Sequence, residues 1–423
     1  MYSLLRKLKK NELTIGIVGL GYVGLPLAVS FAQHFSIIGY DINIERIKEL
    51  QNGIDRNNDI STSEFRMVSK NTLFTTDPTE LKNGDIIIIS VPTPLTENNM
   101  PDLSYLESAS TTVSKNMKKG ALVIYESTVY PGCTEEFCLP ILEKGSGMKH
   151  GDFYLGYSPE RMNPGDKDHS IDKITKLISA SNKDGLEAMK IIYTTITQVH
   201  EMSSIRSAEA AKIIENIQRD INLALFNELS MLFDKLGLDS EEIFAGAATK
   251  WNFIKFKPGL VGGYCIPVNP NYLAYKAAQI GVYPELILAG RKTNESMPVF
   301  IAKKTLQFGG KNPTVLILGA TYKENVAELR SSRVKHLVDS LMKEGVRSLS
   351  IYDPLIKDTA TIFGLINEKP TGKYDVVIYA VSHTLFGTLP VTSLLKPHGY
   401  TIDLQRKLDR KTIEKQGFGY WAL

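Results

Sequence analysis

One cysteine of the chain lies in a segment suited to covalent chemistry. Cys265 closely follows the glycine pair Gly262-Gly263 and precedes Pro267, so a flexible stretch and a constrained loop flank the thiol. A thiolate in such a loop is open to a ligand and can attack an electrophilic carbon. A single cysteine is more often an inert buried residue, so its neighbours must decide between the two interpretations.

A long stretch without glycine or proline carries two polar residues that would suit such a thiol. Lys212 and Asn216 are four residues apart and therefore share one face of a helix, with Arg219 close to the same stripe. A lysine stabilises a thiolate and later an alkoxide, and an amide orients substrate or water through its donor and acceptor groups. The alternative is a solvated helix edge.

The amino-terminal part contains a GxGxxG sequence in the setting of a dinucleotide site. An apolar run from Thr14 to Leu20 precedes it, and a helical pattern from Leu25 to Phe35 follows. Glycines there let the backbone approach a pyrophosphate, which the N–H groups at the start of the helix can bind. The alternative is a tight turn without a ligand. The cofactor-binding residues predicted from this turn are Gly19, Gly21, Tyr22, Val23 and Gly24.

Asp41 directly follows the next apolar run, Ser36 to Tyr40. A carboxylate at this place accepts hydrogen bonds from the adenosine ribose and repels a 2′-phosphate, which favours NAD over NADP. Arg46, close by, contacts the adenosine ribose or accommodates a 2′-phosphate in one interpretation, and is a solvated helix residue in the other.

Positioning these groups requires an α/β framework. Short apolar runs alternate with helical patterns up to about residue 205, a long helix covers Ala208 to Phe233, and the alternation begins again at Pro313 to Gly319. The sequence therefore predicts two Rossmann-like doubly wound domains joined by a long central helix and a helical middle domain, with boundaries near 205 and 305. The other runs of strand length are 85–91, 121–125, 153–157, 349–352 and 375–381.

Composition narrows the class of protein. The 423 residues are 43% hydrophobic and 22% charged with a formal net charge of +3, so no global field favours nucleic acid or an anionic membrane. No apolar run reaches the length of a membrane span, and the basic stretch Arg6 to Lys10 is not followed by the apolar segment of a secretory signal. Three scattered cysteines favour a reducing, cytoplasmic setting without a metal site, and Cys133 and Cys138 are interpreted as structural.

Several separately spaced motifs resemble one family over nearly the whole chain. GIVGLGYVGLPLA, VPTPL, ESTVYPG, GYSPER, EAAKIIEN, GGYCIP and VLILGATYKEN occur in the order found in the UDP-glucose/GDP-mannose dehydrogenase family. Three longer segments resemble the branch that acts on UDP-N-acetylglucosamine or UDP-N-acetylgalactosamine and supplies uronic acids for bacterial capsules and O-antigens. These segments are YESTVYPGCTEE, ENIQRDINLALFNELS and KWNFIKFKPGLVGG. The resemblance implies NAD as cofactor, a UDP-sugar as substrate and a homodimer.

The resemblance also implies a division of labour. Residues 1–205 form the NAD-binding Rossmann domain, 206–304 the central helical dimerisation domain with the cysteine loop, and 305–423 the UDP-sugar-binding α/β domain. Further residues implied for cofactor binding are Val91, Pro92, Thr93, Ser127, Thr128 and Arg330, and for substrate binding Glu160, Arg161, Lys212, Asn216, Gly262, Gly263 and Lys323.

Five residues receive catalytic roles through the resemblance. Cys265 is the nucleophile, Lys212 and Asn216 are its partners on the helix, Thr128 positions water, and Glu160 is the acid/base. From the residues alone, Thr128 could instead cap a helix, Glu160 could be an exposed loop acid, and Lys323 a surface charge.

The reaction so implied removes four electrons from C6 of the sugar, in two hydride transfers to NAD. Cys265 would hold the intermediate aldehyde as a thiohemiacetal and then as a thioester, which water hydrolyses. Asn269 departs from the family pattern, which has Asp at this position for the hydrolytic step, and an amide cannot act as a base. Glu160 and Thr128 then suffice, or hydrolysis is slow, or the chain is impaired; a plain turn residue before Pro270 is the structural alternative.

Four rival functions stay open at this point. UDP-glucose and UDP-N-acetylmannosamine 6-dehydrogenases share the chemistry, and the motifs do not distinguish the substituent at C2 or the configuration at C4. A nucleotide-sugar-binding regulator without turnover fits Asn269 but not the set Cys265, Lys212 and Asn216. A two-domain β-hydroxyacid dehydrogenase would need neither Cys265 nor the third domain.

Overall fold

The structure is a computed structural model that describes residues 4, 7, 12–57, 60–161, 171–263 and 265–423. Most of the basic stretch Arg6 to Lys10 therefore lies outside the described residues, as does Tyr264. The chain divides into two compact units, Met1–Glu215 with Asn271–Val282, and Asn216–Pro270 with Tyr283–Leu423. Each unit is built around one sheet whose strands are mostly or entirely parallel.

The sheet of the first unit has the order β3-β2-β1-β4-β5-β6-β7-β8, and its first six strands are parallel. This is the Rossmann order, extended by β7, which runs antiparallel to β6, and β8, which runs parallel to β7. Helices cover both faces, which explains why all four isoleucines of β4 are buried. The strands are β1 Thr14–Val18, β2 Ser36–Tyr40, β3 Thr72–Thr75, β4 Ile86–Ile89, β5 Leu122–Tyr125, β6 Tyr154–Tyr157, β7 Lys176–Ala180 and β8 Val199–Glu201.

Among the described residues, six α-helices lie between consecutive strands of this unit. The first begins directly at the glycine turn, and its apolar side packs into the same core as β1 and β2. Asn43 caps the second by accepting hydrogen bonds from the N–H groups of Glu45 and Arg46. The helices are α1 Gly24–Ala32, α2 Ile44–Gln51, α3 Thr62–Val68, α4 Ser104–Asn116, α5 Leu139–Ser146 and α6 Lys183–Tyr193.

The predicted long helix is present as α7, which runs for 32 residues from Ile205 to Leu236. Its part up to Glu215 belongs to the first unit, and the rest to the second. Three helices follow, α8 Ser240–Ala247, α9 Asn269–Gln279 and α10 Glu285–Gly309. The last of these helices passes the position near 305 at which the sequence predicted a domain boundary. Of the helices that the structure describes, none is long and apolar enough to cross a membrane.

The second unit contains a five-stranded sheet, all of whose pairs are parallel, in the order β10-β9-β13-β14-β15. Leaving the small β11–β12 hairpin aside, this is the second common doubly wound order. The prediction of two Rossmann-like domains is thus confirmed. The remaining elements are β9 Thr314–Leu318, α11 Val334–Lys343, β10 Ser348–Tyr352, β11 Thr361–Ile362, β12 Leu365–Ile366, β13 Tyr374–Tyr379, β14 Leu395–Asp403, α12 Arg410–Lys415 and β15 Gly419–Ala422.

Candidate functional site

The turn between β1 and α1 explains its glycines sterically. Gly19 has φ of +91°, a conformation that side chains disfavour, and a Cβ on Gly24 would overlap the carbonyl oxygen of Gly19. A Cβ on Gly21 would meet no described heavy atom within 4 Å. Gly21 is therefore not needed for packing, and the open space beside it can admit the backbone-bound pyrophosphate of NAD. Tyr22 and Val23 complete the turn, and Tyr22 is 40% exposed.

Asp41 is fixed toward this turn. Its Oδ2 accepts a hydrogen bond of 2.8 Å from the N–H of Leu20, and its Oδ1 accepts one of 2.9 Å from the N–H of Asn43. Each carboxylate oxygen keeps a further lone pair for a ribose hydroxyl. The structure thus brings the predicted pyrophosphate turn and the predicted ribose ligand together, and these residues fit NAD.

Arg46 supports the turn from inside the unit. Its Nε donates to the carbonyl of Leu20 at 3.0 Å, a guanidinium nitrogen lies 2.8 Å from Oδ1 of Asp55, and the residue is only 5% exposed. The interpretation as a solvated helix residue is therefore wrong. A contact between Arg46 and the cofactor stays a prediction.

The loops after β1, β4 and β5 are joined by side-chain hydrogen bonds. The hydroxyl of Ser90 donates to the carbonyl of Gly19 at 2.9 Å, and Ser127 donates to the carbonyl of Val91 at 2.7 Å. Thr93, next to Pro92, donates to the carbonyl of Thr128, also at 2.7 Å. The predicted residues Val91 to Thr93, Ser127 and Thr128 therefore share the carboxyl edge of the sheet, where ligands of doubly wound proteins bind.

Glu160 contacts a buried polar cluster that the sequence did not reveal. Lys176 is 3% exposed; its ammonium lies 3.5 Å from Oε2 of Glu160 and donates to Oε2 of Glu126, whose Oε1 accepts from the hydroxyl of Tyr193. Burial raises the pKa of Glu126. Burial alone would lower the pKa of Lys176, but Glu126 and Glu160 outweigh it and raise that pKa. Lys176 is thus a fixed positive charge beside the predicted acid/base.

Arg161 is anchored within the first unit. It donates to the carbonyl of Thr175 at 2.7 Å, and its guanidinium lies 2.7 Å from a carboxylate oxygen of Glu215 on α7. Residues 162–170, which directly follow the GYSPER motif, lie outside the described residues.

The predicted polar face of α7 is buried, which excludes a solvated helix edge. Lys212 and Asn216 are each 6% exposed, whereas Arg219 is exposed and points away from this face. One turn earlier, the carboxylate of Glu209 accepts hydrogen bonds from the N–H groups of Gly132 at 2.5 Å and Thr134 at 2.9 Å. Burial raises the pKa of Glu209 to about 7. Glu209 therefore fixes α7 to the segment that follows Thr128.

Cys133, which lies between the two N–H donors to Glu209, and Cys138 are both fully buried and form no disulfide. Cys265 differs, because its residue is exposed. This contrast agrees with the interpretation of the first two as structural residues.

The loop that carries Cys265 is held at several points of the second unit. Asn227 on α7 is fully buried; its Oδ1 accepts from the N–H of Gly259 at 2.7 Å, and its Nδ2 donates to the carbonyl of Gly259 at 3.1 Å. The N–H of Gly263 donates to the carbonyl of Ser331 at 3.1 Å, and a Cβ on Gly262 would lie 3.0 Å from the same oxygen. Close backbone packing therefore favours glycine at position 262, and a φ of +92° favours glycine at position 263.

Asn269, at the start of α9, is bound to the residue of the predicted nucleophile. Its Nδ2 donates to the carbonyl of Cys265 at 2.5 Å, and its backbone N–H donates to the same oxygen at 3.1 Å. The side chain is buried, and its Oδ1 has no hydrogen-bond partner among the described residues. The amide therefore stabilises the cysteine loop, which goes beyond the alternative of a plain turn residue.

A cavity of about 390 Å³ opens beside this loop and is rich in cations. Gly262 forms part of its wall, and Lys323 lies in the turn after β9 on another side. We refer to it as the basic cavity. Its charged and polar lining comprises Lys257, Lys323, Arg333, Lys407, Glu324, Gln405, Thr321 and Ser332. Such a surface suits a diphosphate.

Arg330 lies elsewhere in this unit, exposed and paired with Glu328 through a contact of 2.5 Å. The structure therefore groups the predicted residues into a cofactor turn, a strand-end cluster, a buried face of α7 and the basic cavity with its cysteine loop. The fold and the glycine turn define a dinucleotide-binding α/β protein whose second unit contains a basic cavity.

Comparison with known proteins narrows this class. Models of three domains of the UDP-glucose/GDP-mannose dehydrogenase family match the chain, the NAD binding domain over residues 13–197, the central domain over 206–296 and the UDP binding domain over 316–410. The chain belongs to this family and is an NAD-dependent UDP-sugar dehydrogenase, an oxidoreductase.

Relatives cover most of the chain. Protein CapL of Staphylococcus aureus is 47% identical over 87% of this chain and 89% of its own length. The UDP-N-acetyl-D-glucosamine 6-dehydrogenase of Pseudomonas aeruginosa is 42% identical over 94% of this chain and 98% of its own. The solved structure of a UDP-D-ManNAc dehydrogenase from Pyrococcus horikoshii superimposes with a TM-score of 0.87 at 29% identity, covering 97% of this chain and 99% of that one.

Proposed function

We propose that this dehydrogenase oxidises the C6 alcohol of a UDP-N-acetylhexosamine, UDP-N-acetylglucosamine or UDP-N-acetylgalactosamine, to the uronic acid. The observation that carries the proposal is that Gly262 lines the basic cavity while the exposed Cys265 lies three residues later on the same loop. A diphosphate bound by the cavity cations would place the attached sugar near a thiol. The name of the Pseudomonas aeruginosa relative supports the N-acetylglucosamine configuration.

The proposed chemistry proceeds through the thiol. NAD bound at the glycine turn would supply the hydride acceptor, with one NAD molecule reduced in each of the two oxidations of C6. The sulfur of Cys265 adds to the C6 aldehyde, the resulting thiohemiacetal is oxidised to a thioester, and water cleaves the carbon–sulfur bond to give the uronate and the free thiol. Lys212 stabilises the oxyanions, Asn216 orients the substrate, and Thr128 and Glu160 position and deprotonate the water.

Replacing the thiol tests this route directly. We expect Cys265→Ser to lower the rate of complete oxidation by on the order of 1000-fold, because an alcohol is a poorer nucleophile and a poorer leaving group. NADH and uronate formed per sugar are measured, with Cys133→Ser as the matched control. Two NADH per sugar at the normal rate in the Cys265 variant would exclude covalent catalysis.

The hydrolytic step is the distinctive part of this chain. We expect Asn269→Asp to speed release of uronate from the thioester by about tenfold, since a carboxylate can act as a base where an amide cannot. The same change removes the amide donor to the carbonyl of Cys265, so a small loss of thermal stability accompanies it. Single-turnover uronate release is the measurement, and an unchanged or slower release contradicts the role of a carboxylate at this position.

A solved structure supports one alternative substrate. The likeness to the Pyrococcus horikoshii structure favours UDP-N-acetylmannosamine as the second candidate, although its sequence identity of 29% is below the 42% of the N-acetylglucosamine relative. NADH formation with a panel of the three UDP-N-acetylhexosamines and UDP-glucose distinguishes them. The highest kcat/KM with UDP-N-acetylmannosamine or UDP-glucose would overturn the proposed substrate.

We also propose that the chain acts as a homodimer in the cytoplasm, in the synthesis of a surface polysaccharide. Large apolar side chains are exposed in the central region, Trp251 at 92%, Tyr283 at 73% and Leu286 at 67%. A second copy is the occupant that this surface would fit. The domain roles of 1–205, 206–304 and 305–423 belong to the same proposal. Light scattering behind gel filtration that gives a monomer mass of 47.0 kDa would contradict the dimer.

A further inference from the structure

A buried histidine lies at the centre of the turn that carries Lys323. His383 follows β13 and is 1% exposed. Its Nδ1 lies 2.9 Å from the backbone nitrogen of Asn325, and its Nε2 lies 2.9 Å from Oδ2 of Asp353 and 3.2 Å from the hydroxyl of Thr321. The imidazole therefore contacts the turn on both sides of Lys323.

The hydrogen bonds determine which nitrogen carries the proton. The N–H of Asn325 donates to Nδ1, so Nδ1 has no proton and Nε2–H donates to Asp353 and Thr321. Burial would raise the pKa of Asp353, but hydrogen bonds from His383 and from the N–H groups of Ala320 and Leu355 outweigh burial and lower it. The arrangement is a neutral imidazole between a backbone donor and a carboxylate.

The contacts of this imidazole continue to Lys323 itself. The hydroxyl of Thr321, which accepts from Nε2–H, donates to the carbonyl of Lys323 at 3.0 Å. Asn325 has φ of +60°, a conformation that costs a non-glycine residue energy, and its Oδ1 accepts from the N–H of Thr384 at 2.9 Å. The Thr321 end of this turn is also held by Asp353, whose Oδ2 accepts from the N–H groups of Ala320 and Thr321 at 2.7 and 3.2 Å. The Asn325 end is held through Nδ1 of His383.

We propose that His383 is a positioning residue, which holds the turn from Thr321 to Asn325 so that the ammonium of Lys323 faces the diphosphate of the UDP-sugar. This inference rests on the proposed role of the basic cavity, of which Lys323 is a lining residue. His383 touches neither the sugar nor the cofactor in this role. It acts on substrate affinity alone and leaves the chemical step unchanged.

Two variants separate the two sides of the ring. In His383→Asn, the amide oxygen can replace Nδ1 as the acceptor for Asn325, and the contact to Asp353 is lost. In His383→Gln, the amide nitrogen can replace Nε2 as the donor to Asp353, and the contact to Asn325 is lost. Both remove one buried hydrogen bond, so each serves as the stability control for the other.

The affinity for UDP, measured by calorimetry, is the main readout. We expect His383→Gln to weaken UDP binding and raise the KM for the UDP-sugar about tenfold with kcat within about twofold, and His383→Asn to stay within about threefold of the parent chain. Equal affinity losses in the two variants at equal Tm, or an unchanged affinity in His383→Gln, would overturn the inference. Side-chain ¹⁵N resonances of His383 must show the neutral Nε2–H form, and any other form contradicts it.

Lys323→Met distinguishes a failure of this inference from a failure of the proposed cavity. If Lys323→Met leaves UDP affinity unchanged, the assignment of the cavity is wrong. If it weakens binding while His383→Gln does not, only the role of His383 is wrong. We expect His383→Gln to have no further effect on UDP affinity in a Lys323→Met background, whereas additive losses would contradict a role through Lys323.

Discussion

The turns after β1 and β9 have the same backbone frame and different contents. Gly19 and Gly319 have φ of +91° and +88°, and their N–H groups donate to the carbonyls of Tyr40 and Tyr352 at 2.9 and 2.8 Å. In each unit the aspartate after that tyrosine, Asp41 or Asp353, accepts from the residue that follows the glycine, at 2.8 and 2.7 Å. The two sheets thus present the same strand–turn–strand arrangement.

The segments that follow these two glycines differ. After Gly19 a helix begins within five residues, at Gly24, so backbone N–H groups and the helix dipole face the turn. After Gly319 no described helix starts until Val334, and the intervening turn carries Lys323. In the proposed function, the turn after Gly19 therefore offers an anion its backbone N–H groups, and the turn after Gly319 offers it the side chain of Lys323. The first needs the absence of side chains, and the second needs one cation held in place.

The largest expected effect lies in the backbone site. Gly21→Ala should leave Tm within about 1 °C, since its Cβ meets no described heavy atom within 4 Å, yet lower NAD affinity on the order of 100-fold by filling the space for the pyrophosphate. Gly24→Ala should lower both Tm and NAD affinity, because its Cβ would overlap the Gly19 carbonyl. Calorimetric NAD binding and thermal melts are the measurements. Unchanged NAD affinity in Gly21→Ala would contradict binding of the pyrophosphate by the backbone of this turn.

The side-chain site should respond to charge with an intact fold. We expect Lys323→Met to weaken UDP binding about 30-fold and to reduce its dependence on salt, while NAD affinity stays unchanged. Lys335→Met, an exposed lysine on α11, is the matched control. A similar loss in the control would show a general field effect rather than a site.

The smallest expected effects are those of replacing Asp41 and Asp353. Asp41→Asn should lower NAD affinity about tenfold and weaken the preference over NADP, because the carboxylate that repels a 2′-phosphate is gone. Asp353→Asn, whose carboxylate faces His383, should leave NAD affinity unchanged and lower Tm instead. Equal changes in cofactor affinity from both would show that the second turn also serves the cofactor.

Local patterns predicted much of this architecture. The glycine turn, Asp41 and the alternation of strands and helices are short-range features, and each was recognisable because its spacing follows from the βαβ geometry. Residue types and spacing singled out Cys265 and Lys212 as candidates, and the family motifs added their proposed roles and Lys323, which no periodicity reveals. The central helix was recognisable because it contains neither glycine nor proline.

The unpredicted residues depend on contacts distant in sequence. Lys176 and Tyr193 lie 50 and 67 positions from Glu126, and His383 lies 58 from Asn325. A buried charge or imidazole gains its function only from such partners, and a single sequence does not show them. Asn227 lies on a side of α7 that also buries Asp220 and Ser230, so it does not stand out as a single polar residue on an apolar face.

Protonation of Glu209 is coupled to folding. Its pKa rises from an ordinary 4.5 to about 7 in the folded chain, so the native state holds a proton that the unfolded chain releases between these values. The stability from this group is fully present below about pH 4.5 and is lost as the pH rises through about 7. Unfolding near neutral pH therefore releases protons to the buffer, and the calorimetric enthalpy of unfolding varies with the buffer's heat of ionisation.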